Sequence, residues 1–429
     1  MTGVSLPAFR PTGYDDAALQ ARVTALQTAV ELWARQRDMW VDCGFQSFAS
    51  RVGAEPGEGA CVSVLHFEGP LYNMFNGTWD DGSETSFNEL ISSLGYEYEL
   101  SDHVSAHFYA LDPTLRTAFD DYFHWQWVCS LIQPDCADVY EELYAHFAHR
   151  PEDLHRIDWR EFEVLLFRIF QNQGFTAVLG PGRADGGIDI RLLQRDPLGD
   201  ILTLVQAKHY ASHRRVGLEP VQALFGAAQA DGAQHAIVVT TSEYLPGARA
   251  FAARHNVQLD LRTSADVAEW CRTATAGIVQ DKSTLTSPEH VRKILGQLGQ
   301  GRDPRIVHAH TGYGITTNAF ALILKETKHA ALLMELPRIE ISGDGQVGWE
   351  RPALDDRAFA GLAADTVWRA RRAVDDGRDF LLGWPPPIPC LGWTANVFQK
   401  GGLTGWQMRG PSRPIRQTSM EGARSCSKA

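Results

Sequence analysis

No lysine occurs in the first 150 residues, and that stretch sets only 7 arginines against 22 aspartates and glutamates. A segment so poor in positive charge cannot coat nucleic acid by phosphate neutralisation. Across the 429 residues the net charge is −12, yet residues 151–273 balance 13 basic against 15 acidic side chains and residues 274–429 carry 20 against 15. An anionic substrate would therefore be attracted locally rather than by the whole molecule. Paired cysteines are missing too. The seven (Cys43, Cys61, Cys129, Cys136, Cys271, Cys390, Cys426) are odd in number, far apart and without a C-x-x-C pair, which argues against a disulfide framework and a zinc site and predicts reduced, packing thiols. No apolar run approaches the ~18 to 20 residues of a membrane span, and Met1 to Arg10 holds no basic segment leading into an apolar one. The expectation is a cytoplasmic protein with no membrane partner. What is present, 44% hydrophobic and 21% charged residues, is globular material for two or three domains.

Residues 1–150 read as an acidic, aromatic-rich α+β module. A helix is expected over Ala17 to Trp40, a strand over Cys61 to Phe67, turns at Gly57 to Gly59 and Asn76 to Gly82, and core packing for the aromatic run Phe119 to Trp127. Pro151, Glu152 and Asp153 break the pattern and open a second segment, 151–273. There Trp159, Phe162, Leu165, Leu166, Ile169 and Phe170 recur at three- and four-residue steps on one helix face, and Gly174 ends it. Strands are predicted at Thr176 to Leu179, Ile188 to Leu193 and Ile201 to Lys208. Then come a helix over Pro220 to Ala230, a buried strand Ala236 to Thr241, a helix Pro246 to Arg254, a strand Val257 to Leu261 and a helix Ala265 to Arg272. This αβββαβ order, with α and β additions, predicts an α/β fold with a mixed sheet flanked by helices. Residues 274–383 are expected to form a weakly patterned C-terminal α+β region. A capped helix starts at Ser287, apolar runs cover Ala319 to Lys325 and Ala330 to Leu336, Asp344-Gly345 marks a hairpin turn, and a helix is expected over Leu362 to Val374. Beyond Trp384 to Pro389, the 384–429 tail is Gly-, Ser-, Arg- and Pro-rich, which predicts disorder.

The middle segment carries the chemistry. Phosphodiester hydrolysis needs a divalent cation on hard oxygen ligands, a water in line with phosphorus, and a cation to offset transition-state charge. Asp189 sits between Ile188 and Ile190, so alternation points its carboxylate away from the face its neighbours occupy. Gln206 and Lys208 lie two apart on one strand and share a face. Alone, an Ile-Asp-Ile strand is ordinarily a strand end near solvent, and a Gln-x-Lys strand a solvated face; together they bring a carboxylate, an amide oxygen and an ammonium to one place. Asp185 is the rival acid, its plainer role being support of the Gly186-Gly187 bend.

The stretch Ala184 to Ile190, followed by Val205-Gln206-Ala207-Lys208-His209-Tyr210, resembles the Mrr-type branch of the PD-(D/E)xK, restriction-endonuclease-like superfamily, in which Gln often replaces the acid of the third motif. Phe162-Glu163, Gly174-Phe175 and the Val238 to Ser242 strand end, with the Ala248 helix after it, fit the same pattern over residues 158–273. The resemblance implies a magnesium-dependent DNA endonuclease (Mn²⁺ as substitute), often one directed to methylated DNA. It assigns Asp189, Gln206 and Glu163 to the metal and Lys208 to water and transition-state charge. A neutral Gln lowers the site's negative charge, so millimolar Mg²⁺ dependence is expected.

Arg183, His209, His213, Arg214 and Arg215 are candidate phosphate contacts. Expected partners are duplex DNA, a second copy in a homodimer, and a protein met through the N-terminal module. Rival functions are a structure-selective nuclease or resolvase, and a non-catalytic DNA-binding module on the same fold. His146 and His149, beside Glu141 and Glu142, are read as the exposed face of an amphipathic helix rather than metal ligands, and Thr311 to Thr317 as a turn lacking the Gly-Lys-Ser/Thr of a phosphate-binding loop.

Overall fold

A computed structural model describes residues 13–46, 61–77, 82–132, 139–182, 187–195, 199–298, 305–311, 317–343, 348–362, 367–375, 378–382 and 406–407. The expected turns at Gly57 to Gly59 and Asp344-Gly345, the inner part of the Thr311 to Thr317 turn, Arg183 and Asp185 lie outside the described residues. So does the tail, except for Trp406–Gln407, a two-residue strand.

The N-terminal module begins with α1 (Asp16–Arg35), capped by the Asp15 carboxylate accepting from the Ala18 amide at 2.7 Å. Leu19, Val23, Leu26, Val30 and Trp33, spaced at three and four residues, fill its buried face. The helix stops at Arg35, short of the expected Trp40, because Asp38 turns left-handed at φ +56°. Strands β1 (Gly44–Phe45), β2 (Cys61–His66), β3 (Tyr96–Asp102) and β4 (Ser105–Ala110) form an antiparallel sheet in the order β1-β2-β4-β3. Helices α2 (Gly69–Phe75) and α3 (Ser83–Ser93) pack Phe75 and Phe87 edge-on against each other and against Tyr98. The aromatic run lies on α4 (Pro113–Ser130), whose Phe119 and Tyr122 belong to this core and whose Trp125, Trp127 and Val128 belong to the next.

Helix α5 (Glu142–His149) corrects one expectation. Its face is buried rather than exposed at Glu142, Leu143, Tyr144, His146 and Phe147, with His146 at 1% exposure, while His149 at its end is exposed as expected. The polar side chains tolerate burial because each is met, Glu142 by Arg369 and His146 by Asp153.

The middle segment follows the predicted order. Helix α6 (Trp159–Asn172) starts with a full capping box between Asp158 and Glu161 and is terminated by Gly174 at φ +92°. Strands β5 (Thr176–Leu179), β6 (Ile190–Gln194), β7 (Ile201–Lys208), β8 (His235–Thr240) and β9 (Leu259–Arg262) make one sheet in sequence order. The first two pairings are antiparallel, the last two parallel, so the sheet is mixed. Ile190, Leu192 and Val205 face α6, whereas Leu204, Val238 and Leu259 face α7 (Leu218–Ala230) and α8 (Pro246–Arg254). The closing helix, α9 (Ser264–Leu285), runs well past Arg272 because Cys271, Ala274 and Ile278 continue its buried stripe.

Beyond α10 (Pro288–Gln297), whose Ser287 cap accepts from the His290 amide, the chain forms an antiparallel sheet of β10 (Ile306–Thr311), β11 (Thr317–Glu326), β12 (Ala330–Leu336), β15 (Val367–Asp375) and β16 (Arg378–Leu382). Strands β13 (Arg338–Gly343), β14 (Gly348–Pro352) and β17 (Trp406–Gln407) form a smaller sheet. Where a helix is expected over Leu362 to Val374, residues 367–374 lie on β15, and 363–366 lie outside the described residues. The residues of β15 serve two faces in alternation: Val367 packs toward the core shared with the middle segment and Arg369 reaches Glu142 on α5, while Trp368 and Ala370 join the opposite cluster with Leu333. One apolar core runs from Trp125 through the middle segment to Ala358. Among the described residues no helix is long and apolar enough to cross a membrane.

Candidate active site

Asp189 lies one residue before β6 rather than inside it, yet its backbone is held on both sides. Its amide donates to the Val205 carbonyl at 2.9 Å and its carbonyl accepts from the Gly180 amide at 2.7 Å. Simple alternation fails here: Ile188 enters the core facing α7, and Ile190 the core facing α6. The chain crosses over at Asp189 after the bend at Gly187, where φ is +80°. The Asp189 carboxylate accepts the Ala207 amide at 2.6 Å, which brings it to the β7 edge between Gln206 and Lys208. Asp189 is 8% exposed, Gln206 and Glu163 5% each, and Lys208 is half-buried.

The Gln206 amide is oriented by chemistry. Its Nε2 donates to the Gly187 carbonyl at 2.6 Å, and a carbonyl can only accept, so the nitrogen must face it. Oε1 then points the other way, buried and, among the described residues, without a hydrogen-bond partner. Gly187 is required twice over: its φ is left-handed, and a Cβ there would sit 2.7 Å from Gln206 Nε2. Glu163, on α6, is joined to this centre through Arg160, which bonds both Glu163 Oε2 and the Gly180 carbonyl. Arg160 is a residue that sequence reasoning missed; its i,i+3 spacing from Glu163 was the available signal.

The end of β7 is held by the end of β8. Thr240 Oγ1 and the Thr241 amide donate to the Lys208 carbonyl, and the Tyr210 amide donates to Thr241 Oγ1. His209, expected among the phosphate contacts, instead turns inward. Its Nε2 donates to the Leu154 carbonyl at 2.9 Å, and its ring lies 5.9 Å from that of Phe162. Arg214 and Arg215 sit on an exposed loop, Arg214 with its guanidinium 4.1 Å from the Tyr210 ring centre. Among the described residues no three His, Cys, Asp or Glu side chains form a metal-binding group.

The family whose description is "Mrr_cat: Restriction endonuclease" matches residues 154–271, the span that holds Glu163, Asp189, Gln206 and Lys208. Residues 154–271 are an Mrr-type restriction-endonuclease domain. Its α/β core, a mixed sheet flanked by helices in αβββαβ order, is the restriction-endonuclease-like architecture. A curated relative of this Mrr-containing chain is "Uncharacterized protein y4cE" of Sinorhizobium fredii (strain NBRC 101917 / NGR234), 33% identical over 89 residues, which are 20% of this chain and 22% of the relative. The matched region thus spans about a fifth of that relative's length. Among solved structures, "MspJI Restriction Endonuclease in Complex with 27-mer Oligonucleotide" is similar at 21% identity, covering 35% of this chain and 34% of that one with a TM-score of 0.22. "DNA modification-dependent restriction endonuclease AspBHI" is similar at 15% identity, covering 45% and 60% with a TM-score of 0.25.

Outside the Mrr domain, burial and charge shift several groups where α5 meets its neighbours. Burial drives His124 down to about 4, helped by the His146 and Arg150 charges and opposed by Asp153. Burial raises Glu142 despite Arg369 beside it. For Glu141 burial also pushes upward, but Lys282 and Arg369 together outweigh it and hold the carboxyl below its ordinary range.

Proposed function

We propose that the protein is a magnesium-dependent DNA endonuclease of a restriction or defence system, directed to modified DNA. The observation that carries this reading is the Gln206 Oε1 atom, buried without a hydrogen-bond partner among the described residues, one residue along β7 from the Ala207 amide that holds the Asp189 carboxylate. Leaving an amide oxygen buried and unsatisfied costs about 1–3 kcal/mol, a cost that a bound cation would relieve. Two carboxylates and one amide oxygen are a hard-oxygen donor set that suits Mg²⁺, with Mn²⁺ as substitute. Asp189, Gln206 and Glu163 would hold it; when bound, it supplies charge neutralisation at the phosphate and a more acidic water. Lys208, on the same face of β7 as Gln206, orients that water and offsets negative charge on the transition state. Arg214 and Arg215, on the exposed loop after the strand, are the phosphate-contacting side chains of the proposal.

A second reading, a non-catalytic DNA-binding module, is favoured by one fact: the absence, among the described residues, of a three-member His, Cys, Asp or Glu group. Incubation of the full chain with methylated and unmethylated plasmid, with Mg²⁺ or with chelator, separates the two. The endonuclease reading expects Mg²⁺-dependent cutting that Asp189→Ala and Lys208→Ala abolish. Cutting that survives both substitutions overturns the site, and intact DNA binding with neither cutting nor Mg²⁺ binding establishes the second reading.

A further inference from the structure

Arg160 touches both halves of the proposed centre. Nη1 bonds Glu163 Oε2 on its own helix at 2.6 Å, and Nη2 bonds the Gly180 carbonyl at 2.9 Å, on the turn whose amide holds the Asp189 carbonyl. That turn has no slack. A Cβ on Gly180 would lie 3.0 Å from the carbonyl oxygens of both Ile188 and Asp189, and one on Gly182 would lie 3.0 Å from Arg160 Nη1 and 3.3 Å from the Trp159 ring. The guanidinium therefore fills a slot between the start of α6 and the strand that leads to Asp189. The apolar residues of α6 (Phe162, Leu165, Leu166, Ile169) fix the helix against the sheet. The direction of the Glu163 carboxylate is set by polar contacts instead, and the Arg160 fork is the one that ties it to the Gly180 turn.

We propose that Arg160 is a positioning residue that sets Glu163 relative to Asp189 and thereby the affinity of the centre for its divalent cation. The inference rests on the site reading above. Its decisive feature is geometry rather than charge, because a planar guanidinium reaches two acceptors on two elements at once and a lysine ammonium on a flexible stem does not. The Arg160 side chain is 34% exposed but its partner Glu163 only 6%, so Arg160→Ala takes this ion pair from a buried carboxylate and costs stability, whereas Arg160→Lys keeps the charge and is the variant that should fold.

The test uses the full chain with Arg160→Lys and Arg160→Ala. Both should raise the Mn²⁺ dissociation constant measured by calorimetry without DNA, and the Mg²⁺ midpoint for plasmid cutting, by about 10-fold or more, the usual effect of losing a group that orients a metal ligand. The cutting rate at saturating Mg²⁺ should stay near wild type, and the Gly180 amide should exchange its hydrogen faster in both variants. Wild-type metal affinity in Arg160→Lys overturns the proposal, since charge alone would then suffice. A lowered maximal rate with an unmoved midpoint overturns it as well, because that places Arg160 on the substrate. Asp189→Ala keeps the two levels apart. If that variant still cuts and binds Mn²⁺, the site reading fails; if it is dead while Arg160→Lys is normal, only the Arg160 proposal fails.

Discussion

Gly187→Ala separates the stability of the Mrr domain from the chemistry of its centre. At φ +80° an alanine costs about 1–2 kcal/mol in backbone strain. Its Cβ would also sit 2.7 Å from Gln206 Nε2, a contact that cannot persist. The atom that yields is the tip of a side chain rather than backbone, so Gln206 swings away and loses its bond to the Gly187 carbonyl, for about 1 kcal/mol more. The total, about 2–3 kcal/mol, is within what a folded domain withstands. Gly232 supplies the control: its φ is +68° and a Cβ there meets nothing within 4 Å, so Gly232→Ala carries the backbone strain alone. Urea unfolding should rank the chains wild type, Gly232→Ala, Gly187→Ala. In a Mg²⁺ titration of plasmid nicking, Gly232→Ala should overlay wild type while Gly187→Ala shifts to higher Mg²⁺, because the displaced amide takes Oε1 with it. A Gly187→Ala chain that cuts with the wild-type Mg²⁺ midpoint would refute the assignment of Gln206 to the metal.

Two further predictions concern the junction around α5. His124 is held neutral in the native state down to about pH 4, whereas its unfolded counterpart takes up a proton near pH 6.5. Stability should therefore be full above pH 6.5 and fall as pH drops toward 4, by about 3 kcal/mol at most from this residue. His124→Gln should flatten that slope in urea melts at pH 7 and pH 5, and equal slopes in the two chains would dismiss the idea. Arg369→Met strands Glu142 in an apolar setting and should destabilise the chain by about 3–5 kcal/mol. The double variant with Glu142→Leu should recover much of the loss, and a double variant no better than the single would show that the pair is not the cause.

The Mrr domain was legible in sequence because its signals are local. A proline and charges that break the pattern before the helix, a stripe at three- and four-residue steps, short strands between turns and a glycine pair each follow from neighbours in the chain. The orientation of Asp189 was half legible: its position beside β7 followed from the motif, but the crossover that sends Ile188 and Ile190 to opposite cores depends on the Gly187 backbone angle, which no alternation rule contains. Arg160 and the inward turn of His209 were not legible, since each is defined by a backbone carbonyl some 20 or 55 residues away. Helix α5 was misread because its polar residues answer to Asp153 and to Arg369, the latter 227 residues downstream. The helix expected over Leu362 to Val374 failed for a related reason. Small and basic residues in that stretch favour a helix locally, and only pairing with β12 reveals the strand.

The core that runs from Trp125 to Ala358 has a practical meaning for anyone recombining this chain. The Mrr domain is a keystone rather than a cassette: Phe162, Ile169, Val267 and Cys271 share one apolar interior with Phe147 on one side and Leu332 on the other. Grafting residues 154–271 onto a foreign protein would leave both walls uncovered, an invitation to aggregation. A transplant would have to bring the neighbouring walls along, α5 with Trp125 and Val128 of α4 on one side and the β11–β12 hairpin with Val291 of α10 on the other.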